Sequence, residues 1–108
     1  VSYIGGATFW KCTGLERIEI PNKVVCLQER LFSECENLRE VIVSDGTEEI
    51  MKEAFSYCYS LEKVVISESV TKISDNAFKG SEKVTMYGIT GSYAQEYADE
   101  NGIPFVEI

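Results

Sequence analysis

Four cysteines are the residues of this 108-residue chain best equipped for chemistry. Thiolates attack electrophiles, pair oxidatively and bind zinc, but each use needs a setting: a lowered pKa, a partner at disulfide geometry, or ligands that converge. Cys12, Cys35 and Cys58 stand 23 positions apart, and Ser81 occupies the next place in that series. This is not the CxxC-like spacing of a zinc site, and side chains stacked in one column rarely meet the torsions of a disulfide. The three are read as a ladder of small buried groups, because free Cys packs as a small hydrophobe. Cys26 lies outside that column and is the candidate for a partly exposed, reactive thiol.

The remaining chemical signals are thinner. Asn22, Asp45 and Glu68 recur at the same step. Their stacked oxygens could face Ca²⁺, but that ion wants six or more oxygens in a defined loop, so a solvated turn is the better reading. Glu29, Glu34, Glu36, Glu48, Glu49 and Glu53 are spread over turn segments, and nothing fixes two of them across a cleft as glycoside hydrolysis requires. The chain has no His, the commonest general base and metal ligand. Neither a Gly-rich phosphate loop nor a nucleophile motif is present. The expectation is a protein without enzymatic activity and without a cofactor. Trp10 and the tyrosines could stack on sugar rings, although Trp10 beside Phe9 also reads as a partly buried residue.

Net charge is −8, which argues against nucleic acid, whose phosphates need clustered Lys and Arg, and against an anionic membrane surface. No apolar run is long enough for membrane insertion. Val1 falls inside a repeating pattern, so the chain reads as the C-terminal piece of a longer protein.

The elements that must position these residues come from that repeat. Phe9, Phe32, Phe55 and Phe78 are each 23 positions apart, as are Leu15, Leu38, Leu61 and Val84. Ile18, Val41 and Val64 form another column, as do Ile20, Val43 and Ile66. Agreement over so many columns marks an internal repeat. Each unit opens with Leu-x-x-Val-x-Ile, whose alternation and β-branching predict a short half-buried strand. A turn follows (Pro21-Asn22-Lys23, Ser44-Asp45-Gly46, Ser67-Glu68-Ser69), then a second short extended piece, then a segment ending Phe-x-x-Cys. The i to i+3 spacing of Phe and Cys predicts a single helical turn with both on one side. No unit can bury its apolar positions alone, but stacked units cover one another. The Phe column is expected to run through the core.

After the fourth unit the pattern changes. Ser92 with Gln95 fits a capping box, predicting a helix from Tyr93, while Gly102 and Pro104 end it before a last strand at 104–108. Residues 1–91 are therefore assigned to repeats and 92–108 to a helix-strand cap over the open end. The first unit has no such cover, which favours self-association through that uncovered N-terminal repeat.

The unit Leu-x-x-Val-x-Ile-x-x-x-Val-x-x-Ile-x-x-x-Ala-Phe-x-x-Cys resembles the BspA-like (Treponema pallidum-type) leucine-rich repeat. The tail from Tyr87 to Phe105 resembles the C-terminal segment common in such proteins. The resemblance implies an α/β solenoid, a right-handed coil of about four 23-residue repeats with short parallel strands. It also implies an extracellular or cell-surface setting in host-associated bacteria and a role in binding proteins or glycans, including adhesion to host or microbial partners. The bland alternative is a purely structural spacer or an accessory domain of a larger surface protein, with no ligand of its own.

With the 23-residue step taken as unbroken, two columns face out from the sheet. One is Arg17, Glu40, Lys63 and Met86, whose alternating charges suit neighbouring strands. The other is Glu19, Ile42, Val65 and Gly88, in which Ile42 and Val65 form a small apolar patch. Together Arg17, Glu19, Glu40, Ile42, Lys63, Val65 and Met86 are the expected binding face.

Overall fold

The computed structural model describes residues 11–22 and 24–108. Phe9, Trp10 and Lys23, with the expected uncovered end of the first repeat, lie outside the described residues.

The Leu-x-x-Val-x-Ile segments form strands because branched residues alternate with polar ones, and every strand finds the same segment of the next coil as its neighbour. β1 (Arg17–Ile20), β3 (Glu40–Val43), β5 (Lys63–Val65) and β7 (Thr85–Gly88) pair in parallel, and β8 (Phe105–Glu107) adds to β7, giving a five-stranded sheet in the order β1-β3-β5-β7-β8. Past the turn, β2 (Cys26–Leu27), β4 (Glu49–Ile50) and β6 (Lys72–Ile73) make a second parallel sheet of three short strands. The chain is thus a β-solenoid of about four turns.

The third side of each coil differs from the expected helical turn. It is a run of tight turns in which Cys35 N–H donates to Phe32 O and Ser33 N–H to Arg30 O. The N–H groups at every second position instead reach the next coil: Arg30 to Lys52 O, Phe32 to Ala54 O, Glu34 to Ser56 O, Phe55 to Ala77 O and Tyr57 to Lys79 O. To aim them there, Lys11, Glu34 and Tyr57 take φ near +60° and Gly80 takes +79°. Arg30 and Glu53, four residues before Glu34 and Tyr57, adopt the same left-handed conformation. These residues break the helix and leave donors free for the neighbour.

Inside, the stacked columns fill the coil. Phe32, Phe55 and Phe78 stack almost parallel, with centroids 5.3 and 5.2 Å apart, and the first two are fully buried. Leu38, Leu61, Val41 and Val64 line the sheet side, and Leu27, Ile50 and Ile73 line the short strands. The polar residues admitted here are small hydroxyls with a partner. Thr47 Oγ1 donates to Val24 O at 2.6 Å, and Ser33 Oγ meets Ser56 Oγ at 2.8 Å.

α1 (Tyr93–Glu100) crosses from β7 to β8 and turns Ala94, Tyr97 and Ala98 into the core. Tyr97 packs its ring against Phe78 at 6.3 Å and donates its hydroxyl to Ser74 O at 2.7 Å, closing the stack at the last coil. The expected capping box does not form. Ser92 makes no cap bond with its side chain, and Gln95 Oε1 accepts from Gly91 N–H instead, one residue earlier than the box requires. Gly102 (φ +70°) ends the helix where the left-handed position demands it.

Candidate functional site

The outward face of the five-stranded sheet is built by the pleat. Val41, Val43, Val64 and Ile66 point inward, so the residues between them point out. Pairing places Arg17 beside Glu40 and Glu40 beside Lys63, and Glu19 beside Ile42 and Ile42 beside Val65.

At β7 the register shifts. Lys63 pairs with Thr85, Val64 with Met86 and Val65 with Tyr87, a step of 22 residues. Met86, expected on the outward face, is 0% exposed and continues the core column of Val64. The reason is a one-residue shortening between Val84 and Thr85. Val84 still fills the Leu column, and the strand then starts one residue early to keep an apolar Met inside between Thr85 and Tyr87. Gly88, expected in the apolar outward column, is buried, and a Cβ there would sit 3.2 Å from Ile66 O and 3.4 Å from the ring of Phe105. The glycine admits that ring, which the pairing of Met86 with Phe105 carries in from β8.

The shift changes the composition of the face. Tyr87 takes the place of Gly88, and its partner Val106 extends the row onto β8. The second outward row is therefore Glu19, Ile42, Val65, Tyr87 and Val106: one acid, then four adjacent apolar or aromatic side chains. Ile42, Val65 and Tyr87 are half-buried and Val106 is 42% exposed. Counting from Met86 as an inward residue, rather than from an unbroken repeat, would have found Tyr87 from the sequence. Val106 was legible only as part of a terminal strand.

The first row carries the charge. Arg17 Nε lies 3.1 Å from Glu40 Oε1, and Lys63 Nζ lies 3.9 Å from Glu40 Oε2. The same ammonium sits 4.9 Å from the centre of the Tyr87 ring, a cation–π contact that ties the charged row to the apolar one. Such exposed ion pairs contribute ~0–1 kcal/mol each. They order the long side chains over the face more than they hold the fold.

The thiols show a different use of the Cys column. No disulfide joins any of the four cysteines. Cys58 Sγ donates to Phe32 O at 3.1 Å, and Ser81 Oγ makes the equivalent bond to Phe55 O at 2.5 Å while accepting from Cys58 N–H at 2.9 Å. The column needs a small side chain with one donor aimed at the carbonyl of the previous Phe, and both Cys and Ser supply it. Burial, with Cys35 nearby, pushes the Cys58 thiol up to about 12. Burial, aided by Glu49, also raises Cys26, so that half-buried thiol is not activated as the sequence suggested. Asn22, Asp45 and Glu68 line one groove with Val65, Ile89 and Ile108. Among the described residues no three His, Cys, Asp or Glu side chains group to hold a metal ion.

Comparison with known proteins fits this architecture. Residues 1–98 match the BspA type Leucine rich repeat region (6 copies). A leucine rich cell surface protein from Faecalibacterium prausnitzii A2-165 is similar at 33% identity and TM-score 0.81 over 91% of this chain and 26% of its own. A leucine-rich repeat protein from Bacteroides ovatus ATCC 8483 is similar at 26% identity and TM-score 0.66, over 97% of this chain and 28% of its own. The Leucine Rich Repeat protein of T. pallidum shares the fold at 23% identity and TM-score 0.52, over 78% of this chain and 50% of its own. No curated protein sequence matches the chain. The chain thus spans about a quarter of the length of the first two. With the repeat matched over nearly its whole length, the chain belongs to the BspA-type leucine-rich repeat family.

Proposed function

We propose that this chain is a non-catalytic binding module of a bacterial cell-surface or secreted protein, and that it engages a protein or glycan through the outward face of its five-stranded sheet. The observation that carries this reading is the row Ile42, Val65, Tyr87 and Val106 on four neighbouring strands, bordered by the Arg17–Glu40–Lys63 charges. Side chains on adjacent strands stand about 5 Å apart, so the row offers a continuous apolar strip with a polar edge, the anatomy of a small contact surface. A surface protein of F. prausnitzii with the same coil supports the location.

The test is binding of the purified chain to a panel of host matrix proteins and oligosaccharides, repeated with an Ile42→Asp, Val65→Asp double variant. Loss of binding with an unchanged thermal midpoint supports the strand face. Normal binding of every panel member by the double variant removes the face from the contact, and an unaltered chain that binds nothing favours a structural spacer. Hydrolysis of any panel member by the purified chain would overturn the non-catalytic reading.

A further inference from the structure

The turn side of the third coil carries a feature that the repeat does not explain. Tyr57 and Tyr59 stand where the second coil has Glu34 and Glu36 and the fourth has Gly80 and Glu82. Nothing in the core calls for aromatics here, and Tyr59 is 56% exposed. Tyr57 sits in the left-handed conformation, φ +56°, and its ring lies over Gly80, where an added Cβ would overlap ring carbons. The glycine of the fourth coil clears the space that the ring occupies.

The two rings are 6.4 Å apart at their centres and inclined by 55°. With Gly80, Glu82 and Lys83 they line a cleft of ≈ 360 Å³, at the lower end of the ~300–1,000 Å³ usual for small-ligand sites. Two inclined aromatic faces make a wall and a floor. Glu82 offers hydrogen-bond acceptors and Lys83 donors at the rim.

We infer that this cleft is a carbohydrate site, with Tyr57 and Tyr59 stacking on a neutral pyranose ring of an oligosaccharide. A pyranose presents one apolar face of C–H groups and a rim of hydroxyls that both donate and accept. That pattern matches aromatic faces bordered by one carboxylate and one ammonium. Anionic sugars fit poorly, because Glu82 lies at the rim and the whole chain carries −8. A proline-rich peptide also favours aromatic grooves, but it extends ~3.1 Å per residue and needs a track of successive rings, whereas this cleft has two. The site lies off the strand face and shares no residue with it, so the two assignments stand or fall separately.

The test is titration calorimetry and saturation-transfer NMR of the intact chain with chitohexaose, cellohexaose and mannohexaose. Hexagalacturonate and decaproline serve as competitors of other chemistry. Saturable binding of at least one neutral hexaose is expected, weakened about tenfold or more by Tyr59→Ala and reduced by Lys83→Ala. The thermal midpoint of Tyr59→Ala should be unchanged, since that side chain is largely exposed. The Ile42→Asp, Val65→Asp double variant should bind the sugar normally. Failure of all three hexaoses, preference for hexagalacturonate or decaproline, or full affinity in Tyr59→Ala would overturn the assignment.

Discussion

At the scale of single residues, the small-donor column shows how a repeat constrains chemistry. Cys58 and Ser81 make the same bond to the carbonyl of the previous Phe, so what recurs is size and one hydrogen, not sulfur. Cys58→Ser should therefore change the unfolding free energy by less than about 1 kcal/mol, whereas Cys58→Leu should cost about 1–3 kcal/mol by overpacking, both read from urea unfolding. The thiol also gives a sign for pH. Its folded pKa, about 12, is raised above the ordinary 9.0, so the fold holds the proton more tightly than the unfolded chain does. The contribution is full below pH 9.0 and is lost as pH rises towards about 12; a Cys58→Ser variant should lose less stability over that alkaline window. The Phe ladder contributes more than the thiol column. Phe55 is sandwiched between Phe32 and Phe78, and Phe55→Ala should cost about 3–5 kcal/mol in the same urea unfolding, because neither neighbouring coil can close the gap without unstacking from the other.

At the scale of elements, the columns of branched residues were legible because one chain carries its own alignment: four copies of a strand show which positions stay apolar. The cap was legible through Tyr93, Gly102 and Pro104, although Gln95 secures Gly91 and not Ser92. The third side was not. Lys11, Glu34 and Tyr57 have nothing in common as residue types, and only Gly80 advertises the left-handed backbone that all four share. The coil-to-coil hydrogen bonds select that conformation, and they appear only after stacking. Where a glycine is required, the reason is equally specific. Gly46 (φ +108°) lies so close to Asn22 O that a Cβ would overlap it, while Gly91 (φ +86°) has open space around it. Gly46→Ala should cost more than ~2 kcal/mol and Gly91→Ala ~1 kcal/mol, compared by thermal unfolding.

At the scale of the molecule, the coil is a stack in which each turn completes its neighbour, and the outward face inherits its composition from the register of that stack. The repeat step of 23 holds for the Phe, Leu and Cys columns and for the pairing of β1, β3 and β5. It fails once, at the entry to β7, where losing one residue does not disturb the columns before it. That single step decides whether the candidate face ends in Met86 and Gly88 or continues through Tyr87 to Val106. Periodicity could not reveal it, because Val84 satisfies the unbroken pattern. The competition between Met and Tyr for the core, settled by burying the fully apolar side chain, could. The most direct test is a set of through-space NMR contacts between β5 and β7. A 22-residue step into β7 predicts contact between the Val64 methyls and the Met86 side chain, with Tyr87 beside Val65 on the outer face; contacts of Val64 with the Tyr87 ring, as an unbroken 23-residue step requires, would contradict it.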